Sequence, residues 1–528
     1  MPITRRGLAA AGALLATGGR AWGAEPQHGG TLVGTWGGFE PQALFVPAGG
    51  GSSPELSSTK IIERLVNIAP DLTFRPALAT AWSHSEDFRT HTVTLRQGVT
   101  WHDGKPFTAE DVVFSVMQYW RPITSPVALK RLVGAEAGPD NTVAVRFSEP
   151  TPEFLFLSLL AGQGGGVLPK HVYGTGEILT NPANNAPVGT GPWRFKTWAR
   201  GSYIEYERNA AYWDAGHPFP DRLILRYFRD SGARAAAMEA GEVQIGVFNP
   251  LAAPDIKRLT RTGKFVSTTR GYENSLWQMT LEMNTRSPVF GRREVRQALW
   301  HAIDRSFIAD TIFYGFAKPS RSLVNQNNTL FFTDDVPQYA FDPKKAEAML
   351  DAAGLPRKAG GKRFTASLVA AGWFTENGKA GQYLKQVLED VGVDVTLTVP
   401  DRPTSLKRIY TDYDYDLAIS NNSNPAEPTP YTTQYLATDG IVKGGAFRNA
   451  NGFSDPAMDR VIDAIATEPD VAKRTALVHQ FQRMAMTEMA YAPLVDMDSV
   501  TVAAVGVTGY ETAGNVLGDA WGGVGRGG

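Results

Sequence analysis

The sequence predicts a mixed α/β fold divided into more than one structural unit, and three observations carry that prediction. At 528 residues the chain exceeds what one hydrophobic core accommodates, so about three units are expected. Residues 364–399 read as strand, helix and strand, a βαβ unit that argues for a parallel sheet. Residues 193–207, by contrast, read as a meander of short strands separated by turn residues, which gives the first half an α+β character. Hydrophobic content of 43% and charged content of 20% are ordinary for a globular protein.

Taken in order, the chain begins with Thr4-Arg5-Arg6-Gly7-Leu8, which has the twin-arginine form, followed by an apolar Ala/Gly/Leu run to about Thr17. Ala21 and Gly23 supply the small residues of a cleavage site, so residues 1–23 read as an export signal carried by Arg5 and Arg6. No other segment reaches membrane-spanning length. The net charge of −1 leaves no basic footprint for nucleic acid and no polybasic membrane tether. Cysteine is absent, which excludes disulfides, zinc–thiolate sites and cysteine nucleophiles.

Residues 29–36 predict a first strand, which runs into a Gly-rich loop reaching about Ser53. A short helix is expected over 61–67 and a connector over 72–76. His91 to Leu95 is β-rich, and Gly98 and Asp103-Gly104 supply turns. Thr108 opens a helix, with Asp111 three residues on as an acidic capping-box partner. A strand over 141–147 and a helix over 233–240 follow, with a strand over 243–247. Residues 276–283 form a strand that leads into a helix with Val295, Ala298, Leu299, Ala302 and Ile303 on one face. Beyond the βαβ unit come a strand over 415–420, an Asn/Pro-rich loop over 421–430 and an amphipathic helix over 471–489. A last strand is expected near 501–505, with the Gly-rich tail after Gly514 frayed.

Enzyme signatures are missing. There is no Gly-x-Ser-x-Gly elbow, no His-Glu-x-x-His and no Walker A loop. Gly162 to Gly166 lacks the lysine a phosphate cradle needs, and none of the eight histidines is spaced as a metal pair on one helix. The reading is therefore no enzyme, no metal site and no cofactor.

Two blocks carry a family resemblance. The first runs Leu95-Arg-Gln-Gly-Val-Thr-Trp-His-Asp-Gly-Lys-Pro-Phe-Thr-Ala-Glu-Asp111, preceded by Ala81-Trp-Ser. The second joins Asn284-Thr-Arg-Ser-Pro-Val-Phe-Gly291 to Val295-Arg-Gln-Ala-Leu-Trp-His-Ala-Ile-Asp304-Arg. In this order they resemble the family 5 extracellular solute-binding proteins, receptors that feed peptide, nickel and oligosaccharide ABC importers. Asn209-Ala-Ala-Tyr-Trp-Asp214 resembles a further element of that family. The resemblance implies a two-lobed, hinged binding-protein fold. Its large discontinuous lobe comprises residues 24–275, with an inserted subdomain about 61–186, and a return at 494–528; residues 276–493 form the second lobe. It also implies a monomeric periplasmic receptor that closes on a peptide or peptide-like solute and docks on an ABC permease with separate ATPase subunits. The alternatives are a non-peptide solute (opine-like conjugate, oligosaccharide or metal chelate) or a chemosensory role without import. Arg296, Asp304 and Arg305 belong to the family scaffold on this reading.

Ligand contacts are expected on loops at the carboxyl ends of strands. Trp36 and Phe39 follow the first strand, Trp373 and Phe374 follow 364–370, and Trp277 stands at the crossing between lobes. The third loop supplies Asn421, Asn422, Asn424, Glu427 and Tyr431. A fourth, residues 321–328, is a further candidate. Peptide-binding relatives carry a Trp and then an Asp in the third loop, the Asp holding the peptide's α-ammonium. Placed here, that pattern puts Asn421 at the Trp and Asn424 at the Asp, with Glu427-Pro428 replacing Asp-Pro. An amide brings no charge to an ammonium group, which disfavours an ordinary peptide with a free N-terminus.

Overall fold

A computed structural model of the chain describes residues 26–45, 51–162, 164–429 and 431–527; the expected export signal with Arg5 and Arg6 lies outside them. Two large sheets organise it. The first has seven strands, in the order Phe265–Thr268, Thr501–Ala504, Ile245–Val247, Thr31–Trp36, Arg222–Arg226, Tyr203–Arg208 and Trp193–Ala199. Thr31–Trp36 runs parallel to both neighbours and the outer pairings are antiparallel. The second has six, in the order Ala317–Pro319, Tyr491–Met497, Trp277–Met283, Leu417–Ser423, Phe364–Ala370 and Val393–Thr398. Phe364–Ala370 is parallel to Val393–Thr398 and to Leu417–Ser423, as the βαβ pattern requires. The helix between them, Thr375–Asp390, buries Ala380, Leu384 and Leu388 at helical spacing.

Residues 79–147 form a separate antiparallel sheet of four strands, ordered Ala79–His84, Thr90–Leu95, Thr142–Phe147 and Leu132–Gly138. Thr108 caps the helix Ala109–Phe114 with Asp111 in a reciprocal capping box. The second Asp111 oxygen accepts the Lys170 N–H at 2.8 Å, so one carboxylate ties two helices together.

Several expectations are corrected. The helix near the Gly-rich loop is Ser52–Ser58, and residues 66–68 pair as a strand with Phe74–Pro76 instead of forming the helix and connector expected. The apolar run Ile61, Ile62, Leu65 and Val66 is buried on all sides, so its pattern has no helical face to reveal. The second sheet extends past Pro493, where the sequence reading ended that lobe, because Tyr491–Met497 pairs with Trp277–Met283. The chain crosses back between Met497 and Thr501. The tail is not frayed: Val516, Leu517, Trp521 and Val524 are buried, and the Trp521 indole donates to the Val516 carbonyl at 2.9 Å. These apolar anchors hold a segment whose glycines alone would suggest disorder.

The family blocks are scaffold. Arg296 donates to the carbonyls of Phe290 and Gly291, Asp304 caps its helix by accepting from Ser306 and Phe307, and Arg305 donates to Ser320 and Tyr339 carbonyls. His102 bonds the Gly191 carbonyl at 2.9 Å, and burial lowers its pKa to about 4. Tyr212 and Trp213, from the Asn209–Asp214 element, both donate to Glu63.

Candidate ligand cleft

A cleft of about 350 Å³ is lined by both large sheets' loops and by Thr124, Ser158 and Gly162 of the inserted unit. Its position follows from topology, since loops at the carboxyl ends of parallel strands open into it. From the first unit come Gly37, Gly38 and Phe39, after Thr31–Trp36, and Phe248, after Ile245–Val247. From the second come Trp373 and Phe374 after Phe364–Ala370, Arg402 after Val393–Thr398, and Asn421, Asn422 and Glu427 around the end of Leu417–Ser423. Trp277, Tyr431, Phe447 and Arg448 complete that side.

The first wall brings glycine backbone to close approach. A Cβ at Gly37 would lie 2.0 Å from the Phe248 carbonyl oxygen, and one at Gly38 only 2.5 Å from Ser53 Oγ and 2.7 Å from Trp36. Only glycine lets the two loops approach so closely. Trp36 itself does not line the cleft. Its side chain lies on the same face of its strand as Leu32 and enters the core, where its indole donates to Ser53 Oγ at 3.0 Å. Phe39 and Phe248 provide the first unit's rings instead.

The second wall is side chain. Trp277 and Phe374 meet edge to face with centroids 6.4 Å apart, and Phe248 reaches across from the first unit to within 5.3 Å of Trp277 and 6.2 Å of Phe374. Trp373 contacts Phe447 at 5.8 Å. Such a ring cluster offers apolar area to a ligand at about 25 cal/mol per Å² buried. Among the described residues, four buried side-chain atoms of lining residues have no hydrogen-bond partner: Ser158 Oγ, Trp277 Nε1, Asn421 Oδ1 and Glu427 Oε2. Glu427 Oε1 is engaged by the buried Arg474 guanidinium at 2.5 Å and by the Thr429 N–H at 2.8 Å. Burial pushes the Tyr431 hydroxyl up to about 12, so it stays a neutral donor.

Eight of the ten expected residues line the cleft: Phe39, Trp277, Trp373, Phe374, Asn421, Asn422, Glu427 and Tyr431. Trp36 and Asn424 do not. Asn422 is fully engaged, donating to Thr280 and Tyr491 and accepting from Tyr435. Asn424 lies behind the wall: its amide donates to Gln278 and the Leu323 carbonyl and accepts from the Asn325 N–H. That network continues through Gln278 to the buried Asp496, which also accepts from Ser320 and Gln326. The 321–328 loop therefore braces the wall and does not line the cleft.

Sequence reasoning missed Phe248, Arg402, Phe447, Arg448 and Glu55. Arg402 had a signal, since it follows the second strand of the βαβ unit and sits where Asp401 caps a helix. Arg448 and Phe447 lie in a turn-rich stretch with no periodic pattern, and nothing local marks them.

Comparison with known proteins places this architecture. The profile described as bacterial extracellular solute-binding proteins, family 5 middle, matches residues 73–443. The chain belongs to that family. A Brucella ovis chain named as an ABC transporter peptide-binding protein is 29% identical over 426 residues, 78% of this chain and 76% of its own. The glutathione-binding protein GsiB of Salmonella typhimurium is 24% identical over 469 residues, covering 84% and 85% of the two chains. The binding protein AgaA of A. tumefaciens R10, solved with agropinic acid, superposes with a TM-score of 0.80 at 25% identity over 94% of this chain and 98% of its own. The chain is thus a family 5 solute-binding protein with the family's mixed α/β fold. Among the described residues no group of histidine, aspartate and glutamate side chains is arranged to hold a metal.

Proposed function

We propose that this chain is the periplasmic receptor of an ABC importer, capturing a peptide or peptide-like solute between its two sheets and delivering it to a membrane permease. The ring cluster of Phe248, Trp277 and Phe374 carries the reading, because it draws one aromatic from the first unit and two from the second. A solute touching that cluster gains most when the units are together, and so stabilises the closed state by its differential affinity. Closure then presents a loaded receptor to the permease, whose ATPase subunits are separate chains. The protein works as a monomer, turns nothing over and uses no cofactor. Export through the twin-arginine route by Arg5 and Arg6 belongs to the same reading. The relatives' glutathione and agropinic acid suggest amino-acid conjugates as the next ligand class after peptides.

Native mass spectrometry of protein recovered from its own periplasm tests this directly. A bound peptide or amino-acid conjugate at one copy per chain is the expected result; a consistently empty cleft that no solute closes would sink the receptor reading. An Arg5,Arg6→Lys,Lys variant should no longer reach the periplasm, and undiminished export would dismiss the twin-arginine route.

A further inference from the structure

We infer that the solute is an anion, held through a carboxylate by Arg402 and Arg448, with no need for a free ammonium group. This deepens the receptor reading and rests on it. Four charged side chains line the cleft: Glu55, Arg402, Glu427 and Arg448. Both acids are already neutralised. Glu55 receives Arg64 at 2.9 Å and the Asn515 amide at 3.0 Å, and Glu427 receives Arg474. Neither arginine has a carboxylate or carbonyl acceptor among the described residues; Arg402 makes only a ring contact, its guanidinium 4.9 Å from the Phe39 centroid. The uncompensated charge of the cleft is therefore positive.

A half-buried guanidinium without an acceptor has lost part of its hydration and received little in return. A carboxylate restores that loss through charge-assisted, often bidentate, hydrogen bonds. An ammonium group finds no such welcome, since Asn424 is engaged behind the wall and the two cleft acids are paired. Arg402 also occupies a strategic place: it rises from the second unit and lies over Phe39 of the first, so an anion bound there contacts both units at once. The chemical class is an organic carboxylate whose amine is acylated or absent, such as an N-acylated amino acid or an N-blocked peptide.

Thermal-shift measurements on the full chain, stripped of bound solute by guanidinium unfolding and refolding, decide the matter with matched probes. N-acetyl-dialanine, N-acetylglutathione and agropinate are set against N-acetyl-dialanine amide, the cationic dialanine amide, N-acetylglutathione diethyl ester and maltotriose. At least one acid should raise the melting midpoint by several degrees while the amides, ester and neutral sugar do not. Arg402→Gln and Arg448→Gln should each weaken binding of that acid about tenfold or more, and added salt should weaken it in the parent protein. Circular dichroism of each variant confirms that it is folded, and Arg402→Lys should recover part of the loss. If an uncharged or cationic probe shifts the midpoint as much as its acid, or if the arginine variants bind the acid unchanged, the anion inference fails and the receptor reading stands. If no probe shifts the midpoint and the periplasmic protein is empty as well, both fail.

Discussion

On the first unit's side, the cleft meets Gly37, Gly38, Gly51 and two rings, Phe39 and Phe248; on the second unit's side it meets Trp277, Trp373, Phe374, Phe447, Arg402 and Arg448. The first side, which also presents Ser52, Glu55, Asn274, Ser275 and Asn515, brings glycine backbone to close approach; the second is richer in rings and carries both unpaired guanidinium groups. The difference assigns separate jobs. Glycine backbone accommodates many ligand shapes and contributes hydrogen bonds that depend little on identity, whereas rings and guanidinium groups discriminate. If this cleft holds the solute as proposed, selectivity would reside mainly in the second unit, and closure would bring a more permissive surface down on it.

The same contrast runs deeper. Behind the first wall the buried charged groups have polar partners: Glu55 has Arg64, Glu63 accepts from Tyr212 and Trp213, and Lys60 donates to the Asp519 carbonyl while its ammonium lies 4.7 Å from the Trp521 ring centroid, though burial still raises the pKa of Glu63 and lowers that of Lys60, both to about 7. Behind the second wall Glu282 is fully buried, with both oxygens unpartnered among the described residues and Tyr410, Tyr415, Tyr435 and Tyr491 nearby. The second wall also buries the Glu427–Arg474 pair, both residues 1–2% exposed. Arg474→Ala should cost about 3–5 kcal/mol, because it strands a buried carboxylate. Urea denaturation of the ligand-free protein measures it, and a loss below about 1 kcal/mol would mean that Glu427 finds water or a proton cheaply. The first wall's Glu55 and Arg64 are 6% and 7% exposed, so water can reach the stranded carboxylate more readily and Arg64→Ala should cost less.

Glu282 sharpens the contrast through pH. Desolvation raises its pKa from an ordinary 4.5 to about 8, so the folded protein holds the proton that the unfolded chain releases. Stability from this group is complete below about pH 4.5 and declines as pH rises towards 8, where it levels off. At roughly 1.4 kcal/mol per pH unit, the decline is on the order of a few kcal/mol across that window. Glu282→Gln removes the titration and should flatten the stability profile there, gaining most near pH 8. Parallel profiles for parent and variant would show that solvent reaches the carboxyl.

The second wall was also the more legible in sequence, up to a point. The βαβ unit announced its parallel strands through period and length, so the positions of Trp373 and Phe374 followed from where strand ligand loops open. Asn424 misled because one ungapped loop comparison cannot tell which amide faces a cleft and which is drawn behind it by Gln278 and Leu323. Trp36 misled for a simpler reason: position along a strand was read, but the alternation that buries it on the Leu32 face was not. Arg448 could not have been found, since an arginine's lack of a partner is a three-dimensional fact. The helix at Ser52–Ser58 was hidden by small polar residues that read as loop, yet all but one are buried against neighbours the sequence does not reveal.

The smallest effect lies outside both walls, where the inserted unit meets the second. Lys130 approaches Asp439 at 3.0 Å and Asp463 at 3.1 Å, and Arg131 reaches Asp463 at 2.7 Å. Phe154 adds an edge contact to Phe331, centroids 6.1 Å apart. The aspartates are about half exposed, so each pair is worth at most about 1 kcal/mol and is screened by salt. If the inserted unit and the second unit part on opening, these bonds break with them, and that small energy would bear on closure. Asp463→Asn should shift the ligand-free ensemble towards open forms, visible as a larger radius of gyration in X-ray scattering, and should weaken solute binding about two- to fivefold. High salt should abolish the difference between parent and variant. A variant that binds as tightly as the parent at low salt would leave closure to the cleft alone, and with it the selective wall.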